Sequence, residues 1–280
     1  MMDQIIFATD FSATSRKTLE YAAALAQKTG ARIIAAHALK PPSSIFSKPE
    51  KELKEWEDQH LLRLKSFLKG PQVQDVECQA RLASGSPQRA LGKLARDEKA
   101  DLILVAKRSR STLEKFFVGS STERIVVDAP CPVLVAPELD AYTTKWNPVL
   151  CPIDFSRSSN YALEWAIRLC KEYDGSLNVL HVTALPEAGQ GRAAALAKAE
   201  QRVAESLSLF DAPPETRSLI LEGKPSQQIL DNAEEMNCDL VVMGLRGMNQ
   251  GDYVGMGSTA LAVLKGETFP LLIVPGRQRR

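Results

Sequence analysis

Leu240-Val-Val-Met-Gly-Leu-Arg-Gly-Met-Asn-Gln-Gly-Asp-Tyr-Val-Gly-Met-Gly-Ser258-Thr-Ala-Leu-Ala-Val-Leu264 is the stretch that decides the architecture. Residues 240–243 are an uninterrupted, β-branched apolar run bounded by Asp239 and Gly244, the pattern of a buried strand. Residues 259–264 carry a helical pattern, and the small hydroxyl of Ser258, after Gly257, is placed to cap its first turn. A glycine-rich loop joins the two. Strand, glycine loop and helix start are the parts of a phosphate cradle. Glycines let backbone N–H groups approach an anion, and a helix N-terminus adds unpaired donors and partial positive charge.

Outward from this stretch, the chain repeats itself. Ile5-Ile-Phe-Ala-Thr-Asp-Phe-Ser12 returns as Val149-Leu-Cys-Pro-Ile-Asp-Phe-Ser156, and Gly85-Ser-Pro87 returns as Gly223-Lys-Pro225. Ala100-Asp-Leu-Ile-Leu-Val105 returns as Cys238-Asp-Leu-Val-Val-Met243, and Cys131-Pro-Val-Leu-Val-Ala-Pro137 as Phe269-Pro-Leu-Leu-Ile-Val-Pro275. Asp10 and Asp154 are 144 residues apart, whereas Gly119 and Gly257 are 138 apart, so one short deletion separates two copies of a single unit. The expected division is a domain over 1–137, a polar linker over 138–147 and a second domain over 148–280.

Within each copy strand and helix alternate. In the first, strands are expected at 5–9, 32–38, 73–81, 102–106 and 133–136, and helices at 12–30, 50–68, 87–97 and 120–127. Ser12 is set to cap the first helix, Gly30 to end it, and Pro87 to start the third. The reading is α/β: two tandem, doubly wound, five-stranded parallel sheets of strand order 3-2-1-4-5, with helices on both faces.

Composition bounds the function. The 280 residues are 44% hydrophobic and 25% charged with a net charge of +1, so neither nucleic acid nor an anionic membrane surface is indicated. The five cysteines are odd in number, widely spaced and without a C-x-x-C pair, which argues against a disulfide framework or a zinc site. The start of the chain lacks a signal-peptide pattern and no segment approaches a membrane span, giving the expectation of a cytoplasmic protein. The three histidines form no ligand cluster and read as core or edge residues. Residues 107–110 read as a solvated basic turn, and the tail of Arg277, Arg279 and Arg280 as an unstructured end.

In sheets of this winding, ligands bind beyond the carboxyl ends of the strands, where the direction of winding reverses. That rule brings together Asp154 after the first strand of the second copy, His181 and Val182 at the end of its second, and the loop from Gly244. A backbone edge near Val182 can bond an adenine, Asp154 can accept from a nucleoside, and Ser258 with neighbouring amides can hold phosphates. The bland alternative is that Gly244 and Gly247 make a tight turn and that Asp10 and Asp154 merely start helices.

Gly244-x-x-Gly247, nine residues and Gly257-Ser258, with the first-strand aspartate, the His-Val pair and the Pro-Leu-Leu-Ile-Val last strand, resemble the universal stress protein family over nearly the whole chain, twice over. The resemblance implies ATP or another adenine nucleotide, alone or with magnesium, in the second domain rather than the first. The positions that match the family's pocket are Pro152, Ile153, Asp154, Val182, Met243, Gly244, Arg246, Gly247, Gly257, Ser258 and Thr259. It also implies a stress-related regulatory role, an unidentified protein partner, and an association in which last strands meet. A monomer holding a pseudo-two-fold domain pair and a homodimer both satisfy it.

The first copy departs from that pattern, with Ala106 and Ser109 where the second has Gly244 and Gly247. A Cβ there restricts positive φ and fills space beside phosphates, so this copy is expected to lack the nucleotide site. No Gly-x-Ser-x-Gly elbow, no Ser/His/Asp set and no P-loop lysine is present, so no dedicated enzyme activity is expected, slow ATP turnover aside. A nucleotide-independent scaffold built on duplicated domains is the alternative. An adenine-nucleotide α-hydrolase is disfavoured, because Asp154-Phe-Ser-Arg-Ser158 stands where that chemistry needs a glycine-rich pyrophosphate loop.

Overall fold

The structure is a computed structural model that describes residues 2–39, 50–107, 120–139, 141–183, 190–247 and 255–276. It divides into two compact units, Met1–Thr144 and Lys145–Arg280. Expectations for Arg108, Ser109, Arg110, Gly119, Gly251 and the tail from Arg277 lie outside the described residues.

The first unit runs β1 (Gln4–Ala8), α1 (Ala13–Thr29), β2 (Arg32–Leu39), α2 (Glu50–Phe67), β3 (Cys78–Ser84), α3 (Pro87–Asp97), β4 (Leu102–Ala106), α4 (Ser120–Asp128) and β5 (Val133–Ala136). Every described strand pair is parallel, in the order β3-β2-β1-β4-β5. Because β1 has neighbours on both sides, the chain must wind one way to β3 and the other way from β4 to β5. This puts α1 and α2 on one face and the mutually packed α3 and α4 on the other. Ile5, Ile6, Phe7, Ile33, Ile34, Ile103 and Leu104 are buried, as continuous apolar runs in a sheet covered on both faces must be.

Local signals set the helix ends. Ser12 is the N-cap of α1 and accepts from the Ser15 amide, while Gly30 closes it in the left-handed region at φ 73°. Pro87 opens α3 as expected. The third strand, expected at 73–81, begins later. Pro71 fixes a single 3-10 turn over Pro71–Val73, Val73 is buried beside α1, and pairing with Ile33 starts only at Cys78.

The second unit repeats the plan with β6 (Val149–Pro152), α5 (Arg157–Tyr173), β7 (Leu177–Thr183), α6 (Gln190–Leu209), β8 (Arg217–Glu222), α7 (Pro225–Glu235), β9 (Leu240–Gly244), α8 (Ser258–Gly266) and β10 (Leu271–Val274). Its strands are parallel in the order β8-β7-β6-β9-β10. All five cysteines are free thiols and four are buried. Burial raises the Cys78 thiol to about 11 and those of Cys131, Cys170 and Cys238 to about 12, the behaviour of small core hydrophobes.

The polar stretch over 138–147 is packed, not loose. Glu138 accepts from the Thr14 hydroxyl at 3.2 Å and pairs with Lys17 at 3.6 Å, and Tyr142 stacks on Tyr21 with ring centroids 4.6 Å apart. On the other side of the division, Trp146 is buried edge-on against Tyr173, and the Asn147 amide donates to Asp239 Oδ2 at 2.8 Å. Four large rings, Tyr21, Tyr142, Trp146 and Tyr173, in or beside a hydrophilic segment supply the apolar area that anchors it.

Candidate functional site

The site begins with the turn between β6 and α5. Ser156 is the N-cap of α5 and accepts from the Ser159 amide at 3.1 Å. Asp154 Oδ1 accepts from the Ser156 amide at 3.0 Å, and the Asp154 amide donates to Ser159 Oγ at 3.3 Å. This Asx-type turn holds Phe155 at φ 63°, a conformation that costs a bulky side chain about 1 kcal/mol or more. Asp154 is half-buried at the carboxyl edge of the sheet.

The end of β9 is pressed against that turn. A Cβ on Gly244 would lie 2.7 Å from the carbonyl carbon and from Oγ of Ser158, and 2.9 Å from its carbonyl oxygen. A Cβ on Gly247 would lie 2.6 Å from Asp154 Oδ2. Neither glycine has positive φ, contrary to the expectation that their backbone conformation requires glycine. Close approach requires it instead: β9 abuts the first turn of α5, and the loop abuts a carboxylate. Between the two glycines, the Arg246 amide donates to Ser158 Oγ and its carbonyl accepts from Ser156 Oγ, both at 3.3 Å.

The far end of the loop returns to the same place. The Gly257 amide donates to the Leu245 carbonyl at 2.9 Å, and Arg246 Nε donates to the Gly255 carbonyl at 2.8 Å. Gly257, at φ −61° and ψ 147°, is the N-cap of α8 and, being glycine, brings no side chain to cap the helix. Ser258 is therefore the exposed first helical residue and not the cap its position suggests. The Leu261 amide is the first to find an intrahelical carbonyl, that of Gly257, so the amides of Ser258, Thr259 and Ala260 make up an N-terminus that has no side-chain acceptor among the described residues.

The structure thus joins Asp154, Gly244, Arg246, Gly247 and Gly257, with Ser258 and Thr259 at the start of α8. Met243 and Ile153 are buried, and Ile153 presents its backbone: its amide donates to the Leu180 carbonyl and its carbonyl accepts from His181 Nδ1 at 2.9 Å. Since a carbonyl only accepts, Nδ1 carries the proton and His181 is a buttress of the strand ends. Pro152 pairs with Leu180, so half-buried Val182 stands two residues further along β7, at the same carboxyl edge. The hydroxyls of Ser156, Ser158 and Ser159, which dock Arg246 and Asp154, were not expected from the sequence. The run Ser156-Arg-Ser-Ser159 in a first helical turn is the signal that carried them.

The first unit has the same turn, and among the described residues its partners differ. Asp10 Oδ1 accepts from the Ser12 amide at 3.0 Å, Phe11 sits at φ 65°, and His37 Nδ1 donates to the Thr9 carbonyl at 2.8 Å. Thr14, at the position of Ser158, bonds Glu138, and Ala106 ends β4 where Gly244 ends β9. Beside the turn, Phe11 packs on His37 at 4.3 Å, His37 on His60 at 6.2 Å, and His60 on Trp56 at 4.4 Å between ring centroids. Arg63 lies over Phe11 and Arg16 over Phe67. In the second unit the corresponding group is Phe155 on His181 at 4.5 Å, with Arg202 over the phenyl ring.

Among the described residues there is no group of three His, Cys, Asp or Glu that could hold a metal ion, and no helix long and apolar enough to cross a membrane.

Comparison with known proteins gives two matches to one family model, described as the universal stress protein family, over residues 1–137 and 145–275. A universal stress protein of Thermus aquaticus is 34% identical over 139 residues, covering 48% of this chain and 98% of its own length. Another, from Synechocystis, is 30% identical over 132 residues, covering 45% of this chain and 84% of its own. The crystal structure of a universal stress protein from Archaeoglobus fulgidus matches with a TM-score of 0.69 at 22% identity, over 98% of each chain; at that identity the likeness is one of fold.

Proposed function

Because the chain belongs to the universal stress protein family in both of its units, we propose that the second unit binds ATP or another adenine nucleotide and that occupancy regulates an interaction with a protein partner. One observation carries this reading: the cap of α8 is a glycine, with no side-chain acceptor for the helix among the described residues, and its amide is bonded to the loop segment beside Asp154 and Gly247. Such an N-terminus attracts an anion through its amides and its dipole. ATP supplies the polyanion for these amides and an adenine edge for strand backbone. Ser258, Thr259 and the adjacent amides hold phosphate, Asp154 accepts from the nucleoside, and the backbone near Val182 meets the base.

Binding, not turnover, is the activity proposed. The cradle segments 244–247 and 255–259 contain no lysine, histidine or carboxylate, and their one cation, Arg246, is bonded through Nε to the Gly255 carbonyl, so a transferring phosphoryl group finds no general base in them. The first unit, with Ala106 at the strand end and Thr14 turned to Glu138, is proposed to lack this site.

A nucleotide-independent scaffold has one observation in its favour. Asp154 Oδ1 is engaged as Asp10 Oδ1 is, and Ser158 and Asp154 account for both glycines by packing alone. Mass spectrometry of nucleotide released from the purified, denatured protein separates the readings, together with ATP calorimetry on wild type and on Gly247→Val. Nucleotide release at about one per chain, with binding lost in the variant, is the expected result. A wild type that carries none and binds none at millimolar ATP leaves the scaffold.

A further inference from the structure

Arg246 meets two segments of the second unit at once. Its amide and carbonyl are bonded to Ser158 and Ser156 in the first turn of α5, and its side chain crosses to the Gly255 carbonyl, two residues before the N-cap of α8. One further bond among the described residues, from the Gly257 amide to the Leu245 carbonyl, closes the same gap. Every one of these acceptors and donors is protein, so the link is complete without a ligand.

We infer that Arg246 is a positioning residue: its guanidinium ties the end of the glycine loop to its beginning, so that the α8 N-terminus is held against Gly247 and Asp154 before any anion arrives. This rests on the nucleotide reading for its use, and on the geometry alone for its existence. It assigns the guanidinium to a carbonyl of the chain instead of to a phosphate. The advantage is preorganisation: an N-terminus already in place does not have to be ordered at the moment of binding, and that saving appears as affinity. The inference also separates hydrogen-bond geometry from charge. The donor used is Nε, and a glutamine side chain places its amide nitrogen the same number of bonds from Cα. Lysine keeps the charge but carries its nitrogen one bond further out, without the planar group that directs Nε–H.

Three variants of the full chain test it: Arg246→Gln, Arg246→Lys and Arg246→Met. The first readout needs no ligand. Hydrogen exchange at the amides of Gly257 and Leu261, bonded to the Leu245 and Gly257 carbonyls, is expected to quicken about tenfold in the Met and Lys variants and to stay within about threefold of wild type in the Gln variant. The second is ATP calorimetry, where the same order is expected: Met and Lys weakened about tenfold, Gln about threefold or less. Retention by Lys with loss in Gln, in either readout, overturns the inference, because charge would then be the property that matters. Unchanged exchange in the Met variant also overturns it. If wild type binds no ATP, the nucleotide reading fails by itself, while exchange still decides whether Arg246 holds the two ends together.

Discussion

A Cβ on Gly247 would fall 2.6 Å from Oδ2 of Asp154, closer than a carbon and a carboxylate oxygen can rest. The carboxylate cannot simply swing aside, because its Oδ1 holds the Ser156 amide at 3.0 Å and with it the turn that starts α5. Gly247→Ala is therefore expected to destabilise the second unit by about 1–3 kcal/mol. In an Asp154→Ala background most of that cost should vanish, since the opposing oxygen is gone. Denaturant unfolding of wild type, both single variants and the double variant measures the coupling. Strictly additive losses would refute the contact.

Gly244 faces a harder obstacle, the backbone of Ser158, with the nearest atoms at 2.7–2.9 Å. Backbone in a helix's first turn yields less readily than a side-chain tip. Gly244→Ala should cost about 2–3 kcal/mol, and no substitution at Ser158 should recover it fully. The reciprocal change in the first unit, Ala106→Gly, meets no such demand and should alter stability by about 1 kcal/mol or less. Equal effects at the two strand ends would show that the units do not differ here.

Ser12 and Ser156 occupy the same place in the two units but donate to different partners. Each caps its helix, and truncating either to alanine should cost about 1 kcal/mol. Ser156 donates to the Arg246 carbonyl, which loses that partner on truncation, whereas Ser12 donates to Ser15 Oγ, a hydroxyl that keeps its bond to Asp10; Ser156→Ala should therefore cost roughly 0.5–1.5 kcal/mol more than Ser12→Ala. Chemical denaturation of the two variants compares them directly, and identical losses would contradict the bond to the Arg246 carbonyl.

Acid should weaken the first unit through His37. Burial holds its imidazole below the ordinary histidine range; the Thr9 carbonyl works against this, His60 and Arg63 reinforce it, and Asp10 opposes it. The folded-state pKa is thus lower than the unfolded one. As the pH falls below about 6.5, the unfolded chain takes up the proton first, and stability present at neutral pH is lost until the folded value is also passed. His37→Phe keeps a ring against Phe11 but cannot titrate. It should lower stability at pH 7, by loss of the Thr9 bond, while flattening the fall toward pH 5. A variant with an unchanged slope would exonerate His37.

The fold was legible because its signals are local and doubled. Apolar runs such as 102–106 and 240–243, the caps at Ser12 and Ser156, and the prolines that open α3 and α7 each specify an element without reference to distant residues. The third strand was misplaced because a buried Val73 looks like the start of a strand, when the tertiary context uses it to plug a turn beside α1. At the site, the glycines were visible but their reason was not. Spacing in sequence cannot say that Gly244 lies on Ser158 or Gly247 on Asp154, since these pairs are brought together only by parallel pairing of β6 with β9. The family resemblance places Arg246 among the pocket positions. Its side-chain bond to Gly255 depends on where the loop returns, which no periodicity encodes.

The left-handed phenylalanines carry a historical reading. Phe11 and Phe155 share a strained backbone, the same aspartate bond beneath them and the same histidine ring packed against them, although the loops beyond β4 and β9 have parted company. A duplicated gene is free to relax a costly turn in whichever copy no longer needs it. Neither copy has done so, which makes this turn the inheritance that both units hold in common, while the stretches that follow Ala106 and Gly244 differ in sequence.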